Sequence, residues 1–141
     1  MTIPFNKPFF CGKEIEYIEK SIESGKISGD GLFSIKCHDF FQNNYGFKKT
    51  LLTTSCTDAL EMAAILCSIK DGDEVIVPNF TFVSSALAFV RQGANIVFAD
   101  SEKDHPNIDV SKIENLITSK TKVIVAVHYG GVACDMDKIM N

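Results

Sequence analysis

The chain has 141 residues, 45% of them hydrophobic and 23% charged, a composition that fits one globular domain and excludes disordered, collagenous and low-complexity architectures. With 14 Lys and Arg against 18 Asp and Glu, the net charge is −4 and no basic cluster stands out, so phosphate backbones and anionic lipid are repelled. The cysteines Cys11, Cys37, Cys56, Cys67 and Cys134 are odd in number and contain no C-x-x-C pair, which argues against a disulfide framework or a zinc site and for a reducing, cytoplasmic setting.

The opening Met1-Thr2-Ile3-Pro4-Phe5-Asn6-Lys7 is followed by no long apolar run, so neither a signal peptide nor a bilayer span is expected. Over residues 12–24, Ile15, Ile18 and Ile22 recur at helical spacing among Glu14, Glu16, Glu19 and Lys20, and Gly25 supplies a stop, which predicts an amphipathic surface helix. The stretch Lys26-Ile27-Ser28-Gly29-Asp30-Gly31 reads as a loop, and a second helix carries Phe33, Cys37, Phe40 and Phe41 up to Tyr45-Gly46.

Beyond Gly46 the texture changes. Leu51-Leu52, Val75-Ile76-Val77, Ile96-Val97-Phe98 and Val123-Ile124-Val125-Ala126-Val127 are short continuous apolar runs, as expected of strands covered on both faces in a parallel sheet. Helices are predicted between them over residues 57–69, 82–92 and 111–117, the first apolar nearly all round and therefore buried. The predicted order is α-α-β-α-β-α-β-α-β, a doubly wound α/β layout with right-handed crossovers, divided into a helical segment 1–46 and an α/β part 47–141. Residues 134–141 read as the first turn of a further helix, capped by Asp135 and with Ile139 on its apolar face. A sheet left half built at that point is expected of the N-terminal piece of a longer protein.

In such sheets ligands bind beyond the carboxyl ends of the strands. The turn Thr53-Thr54-Ser55-Cys56-Thr57-Asp58 runs into a helix N-terminus, where free N–H groups and the hydroxyls of Ser55 and Thr57 suit a phosphate; the same residues also suit plain helix capping. In Pro78-Asn79-Phe80-Thr81-Phe82 the two aromatics read either as a stacking platform for a flat ring or as core plugs. His128-Tyr129-Gly130-Gly131 combines a polar ring with glycines that let backbone approach a ligand, although a histidine there also serves as an ordinary hydrogen-bonding residue. Neither G-x-G-x-x-G nor G-x-x-x-x-G-K-[ST] is present.

Taken in order, Ser55-Cys56-Thr57-Asp58-Ala59-Leu60-Glu61-Met62-Ala63, Gly72-Asp73-Glu74-Val75-Ile76-Val77-Pro78-Asn79-Phe80-Thr81-Phe82-Val83-Ser84 and Val127-His128-Tyr129-Gly130-Gly131 resemble the DegT/StrS family of sugar-nucleotide aminotransferases. The resemblance implies the first part of an aspartate-aminotransferase-like, fold type I large domain, a mainly parallel sheet with flanking helices that binds pyridoxal 5'-phosphate. It implies cofactor contacts at Ser55, Cys56, Thr57, Phe82 and His128: phosphate at Cys56 and Thr57, with Cys56 where many relatives have glycine, and the pyridine face at Phe82. Gly29 and Asp30 fall in what resembles the sugar-nucleotide pocket.

The family's Schiff-base lysine, in a Ser-x-x-Lys turn, and the Asp-x-x-Gln that meets the pyridine nitrogen have no counterpart here, so no catalytic residue is assigned and the chain alone is expected to be inactive. No metal is implied. For the longer protein the resemblance implies a homodimer that moves an amino group from glutamate to a dTDP-4-keto-6-deoxyhexose. The product is dTDP-4-amino-4,6-dideoxygalactose for cell-surface polysaccharide of enterobacterial common antigen or O-antigen type. Another sugar aminotransferase of the family, or a non-catalytic phosphate- or nucleotide-binding α/β module, are the competing expectations.

Overall fold

The computed structural model describes residues 2–141, and the chain divides into two units, Met1–Leu52 and Thr53–Asn141. In the first, α1 (Glu14–Glu23) is opened by its own first residue: the Glu14 carboxylate accepts the N–H groups of Cys11 at 2.7 Å and Gly12 at 2.9 Å. The Cys11 N–H above all holds the Glu14 pKa down, to about 2. Gly25, at φ +72°, takes the left-handed conformation that ends α1, and Gly46, at φ +69°, does the same for α2 (Leu32–Tyr45). Both helices stand where the sequence put them. Neither buries a residue, and Ile15, Ile18 and Ile22 all face outward. Aromatic contacts hold this unit: Tyr17 meets Phe33 at 5.3 Å, and Tyr45 stacks on Phe47 at 5.9 Å.

The second unit contains α3 (Cys56–Leu66), β1 (Glu74–Pro78), α4 (Ser84–Val90), β2 (Asn95–Ala99), α5 (Val110–Ile113) running into a 3-10 turn (Glu114–Leu116), β3 (Thr121–Ile124), a 3-10 turn at Tyr129–Gly131 and α6 (Met136–Met140). The strands are parallel in the order β2-β1-β3, with Val75 opposite Ile96 on one side and Val123 on the other. Side chains of a strand alternate between faces. Val75 and Val77 therefore join Ala64, Ala88 and Phe89 in one cluster, and Ile76 joins Ala99, Ile108, Ile113 and Cys134 in the other. Val75, Ile76 and Val77 are all fully buried, which is why the run has no polar alternation; burial of each is worth roughly 1.5–3 kcal/mol.

Several expectations are corrected. Leu51-Leu52 forms no strand; the segment is unpaired coil with both leucines about half exposed. Two residues are too few for a ladder. The first strand is thus Glu74–Pro78, and among the described residues three strands are formed where four were read. Helix α3 is not buried: Ala64 alone is, while Ile65 and Leu66 are 61% and 76% exposed, because α3 packs one side on α4 and the sheet and its remaining apolar surface is uncovered. The predicted 111–117 helix tightens into a 3-10 turn after four residues. Helix α6 is capped as expected, with the Asp135 carboxylate accepting the Lys138 N–H at 3.2 Å. Among the described residues no helix is long and apolar enough to cross a membrane.

Candidate functional site at the carboxyl edge of the sheet

Helix α3 returns to β1 through residues 67–73, so it runs antiparallel to the strand it covers. Its 11 residues rise about 16 Å, and the 5 residues of β1 span about the same, so the α3 N-terminus is carried toward the carboxyl end of β1. The turns after β1, β2 and β3 lie on that same edge because the strands are parallel.

At the α3 N-terminus Ser55, in extended conformation, is the cap: its Oγ accepts the Asp58 N–H at 3.1 Å and its carbonyl accepts the Ala59 N–H at 3.2 Å. The Thr53 hydroxyl donates to the Ser55 carbonyl at 2.7 Å, and the Thr54 hydroxyl donates to the Asp58 carboxylate. That Thr54 hydroxyl, with Ser55 second, keeps the Asp58 pKa below the ordinary carboxylate range. Among the described residues no acceptor faces the N–H groups of Cys56 and Thr57. Two free donors remain at the positive end of an 11-residue helix dipole, an arrangement suited to an anion.

Phe80 and Phe82 are not core plugs, being 52% and 74% exposed. The Phe80 ring meets Tyr129 edge-on at 5.0 Å, and Asn79, Phe80, Thr81, Phe82 and Tyr129 line an open cavity of about 290 Å³. A solvent-facing phenyl beside a polar-rimmed hollow suits a flat aromatic ligand. A larger cavity of about 430 Å³ between α5 and α6 combines aliphatic walls from Val110, Ile113, Ile117, Ile124 and Ile139 with the polar Ser111, Glu114, Lys138 and Asn141, and holds none of the residues singled out in the sequence as cofactor or substrate contacts.

His128 is exposed, and its Nδ1 accepts the Cys134 N–H at 3.0 Å. The neutral ring therefore carries its proton on Nε2. The structure gathers Phe82 and Tyr129, the residue after His128, at one cavity; Ser55, Cys56 and Thr57 stand at the start of α3 and do not line it. Gly29 and Asp30 belong to the first unit, where Asp30 holds φ +58° and its carbonyl accepts Lys26 Nζ at 3.0 Å.

Sequence reasoning missed two asparagines. Asn79 Nδ2 donates to Asp100 at 3.0 Å and its Oδ1 accepts the Ser101 hydroxyl at 3.1 Å, joining the turns after β1 and β2. Asn107, only 1% exposed, bonds Tyr129 and Val132. The position of Asn79 directly after the strand-ending Pro78 was a usable signal; Asn107 had none.

The anion cup and the exposed ring fit a ligand made of a phosphate and a planar heterocycle, which is the make-up of pyridoxal phosphate. Comparison with known proteins agrees. The DegT/DnrJ/EryC1/StrS aminotransferase family matches residues 11–141. GDP-perosamine synthase of Escherichia coli O157:H7 is 37% identical over 138 residues, 98% of this chain and 38% of that protein. The spore coat polysaccharide biosynthesis protein SpsC of Bacillus subtilis is 38% identical over 138 residues, again 98% of this chain and 35% of that protein. Among solved structures, Spr1654 of Streptococcus pneumoniae, described as a sugar aminotransferase, superposes in its PLP form with a TM-score of 0.89 at 32% identity, over 99% of this chain and 36% of that one. The chain thus spans little more than a third of the length of these relatives.

Proposed function

Because the chain belongs to the DegT/DnrJ/EryC1/StrS aminotransferase family, we propose that it forms the cofactor-phosphate side of a pyridoxal-phosphate-dependent sugar aminotransferase serving polysaccharide biosynthesis. The observation that supports the reading is that, among the described residues, no acceptor meets the N–H groups of Cys56 and Thr57 at the start of α3, while Phe82 in the turn after β1 is 74% exposed.

The cofactor, when bound, supplies the electron sink through which an amino group passes between a donor and a keto sugar. Cys56 and Thr57 hold the phosphate through backbone N–H groups, with the Thr57 and Ser55 hydroxyls as further donors; the Ser55 oxygen is taken as a cap but its hydrogen is not. Phe82 covers one ring face and keeps water from it. His128 offers its Nε2–H at the same edge, its ring fixed by the bond to Cys134. Gly29 and Asp30 are assigned to the sugar nucleotide.

The substrate is a nucleotide-linked 4-keto-6-deoxyhexose. The dTDP sugar yielding dTDP-4-amino-4,6-dideoxygalactose, with glutamate as donor, is the reading from the sequence motifs, and the similarity to GDP-perosamine synthase favours GDP as the competing nucleotide. A cytoplasmic homodimer completes the proposal. The test titrates the full-length protein with pyridoxal phosphate and then offers it glutamate with dTDP- and GDP-linked 4-keto-6-deoxyhexoses. Binding followed by amination of one sugar is expected; a protein that binds no pyridoxal phosphate refutes the function.

A further inference from the structure

The turn after β3 is held by a side chain that plays no part in the site described above. Asn107 is 1% exposed and sits in the excursion between β2 and α5. Its Oδ1 accepts the Tyr129 N–H at 3.0 Å, a donor shared with the Val127 carbonyl, and its Nδ2 donates to the Val132 carbonyl at 2.9 Å. The two partners fix the orientation of the amide without ambiguity, since a backbone N–H needs the oxygen and a carbonyl needs the nitrogen.

The excursion is itself braced. Ser101 and Ile108 form an antiparallel bridge, the Glu102 N–H donates to the Asn107 carbonyl at 2.8 Å, and the Asp109 N–H donates to the Asp100 carbonyl at 2.8 Å. At its base, Asp100 and Ser101 bond Asn79, at the head of the turn after β1. One rigid hairpin-like segment therefore grips both turns whose aromatics, Phe80 and Tyr129, meet across the cavity. The turn's own backbone bonds, Gly131 N–H to the His128 carbonyl at 3.2 Å and Val132 N–H to the Tyr129 carbonyl at 3.1 Å, are local, and Gly130 and Gly131 take φ +62° and +85°, so Asn107 adds a long-range side-chain tie to it.

We propose that Asn107 is a positioning residue: by clamping Tyr129 and Val132 it sets the Phe80–Tyr129 wall, and with it the adjacent His128, before a ligand enters. The proposal rests on the reading of this edge as the cofactor site. Asn107 touches no ligand; it acts through the turn it holds, so that binding does not have to order that turn.

The test uses the full-length protein with two substitutions. Asn107→Leu removes both bonds at nearly constant volume, and Asn107→Asp keeps the acceptor for Tyr129 while removing the donor to Val132. Amide exchange over residues 127–134 is read without cofactor, and the dissociation constant for pyridoxal phosphate is read separately. Exchange is expected to quicken about tenfold or more in the Leu variant, and also in the Asp variant, where a buried carboxylate oxygen faces the Val132 carbonyl, with the dissociation constant rising together with exchange. Unchanged exchange in both variants overturns the clamp. Faster exchange with an unchanged dissociation constant overturns the positioning role while leaving the cofactor site standing. If Asn107→Leu does not fold, Asn107→Asp decides alone, and a dissociation constant equal to that of the unsubstituted protein overturns the proposal. Failure of the unsubstituted protein to bind pyridoxal phosphate overturns the function and the proposal together, and is told apart because it appears before any substitution is made.

Discussion

Phe82→Ala separates binding from folding. The ring is 74% exposed, so it contributes little to the folded state without ligand, and its truncation should leave the melting temperature of the cofactor-free protein within about 1–2 °C of the original. A heterocycle laid against one ring face removes roughly 60 Å² of apolar surface from water; at about 25 cal/mol per Å² this is about 1.5 kcal/mol, and aromatic packing geometry adds about 0.5–1.5 kcal/mol. The expected loss is therefore about 2–3 kcal/mol, or roughly 30- to 150-fold in the dissociation constant for pyridoxal phosphate. Equilibrium dialysis of the full-length protein measures the constant, and a thermal melt of the cofactor-free form supplies the control. An unchanged constant removes Phe82 from the site. A large fall in melting temperature refutes the reasoning differently, because it would mean that the ring is structural and not held in reserve for a ligand.

Thr57→Val keeps the shape and both backbone donors of the cup but deletes the hydroxyl. It should weaken pyridoxal phosphate binding by about 1–2 kcal/mol, and normal binding would leave the N–H groups as the only phosphate donors at that residue. Gly93→Ala tests the return into β2: at φ +93° an added Cβ would lie 2.9 Å from the Asp71 Cα, so strain and a forced backbone shift together should cost about 2–4 kcal/mol in urea unfolding, and a loss below about 0.5 kcal/mol would refute the close approach. Cys134 is buried and donates to the Val127 carbonyl at 3.3 Å, and burial pushes its thiol pKa up, whereas the other cysteines are exposed. Alkylation followed by peptide mapping should find Cys134 the slowest of the five to react, and equal rates would contradict its burial.

Features written in neighbouring residues were the legible part of the fold. The stops at Gly25 and Gly46, the Asp135 cap and the doubly covered run Val75-Ile76-Val77 each arise from a local pattern, and the structure has them all. The failures came where a local pattern had to be judged against its surroundings. Leu51-Leu52 has strand composition, but two residues are too short a run to make a ladder of their own. Helix α3 is apolar nearly all round, yet apolar character states only a capacity for burial, and Met62, Ile65 and Leu66 remain uncovered. The same holds for α1, whose regular Ile15-Ile18-Ile22 face has correct spacing and no covering partner.

The site divides along the same line. The residues proposed to meet a ligand lie in contiguous turns, where a hydroxyl-rich helix start or an aromatic pair at a strand end is visible in one dimension; of the two candidate caps, the 3.1 Å bond from the Asp58 N–H identifies Ser55. Residues that hold those turns do not lie beside them. The bonds of Asn79 reach 21 and 22 residues along the chain, and those of Asn107 reach 22 and 25, so no window of helical or strand period contains both ends. Short parallel strands make such bonds necessary. β1 and β3 share three paired positions, with a break in register between Glu74 and Val75, and their last bond, from the Val125 N–H to the Ile76 carbonyl at 2.8 Å, stops short of the turn at Tyr129. Buried amides at Asn107 and polar braces at Asn79 supply that constraint, because an amide removed from water must find both its partners and so admits few placements of the turn.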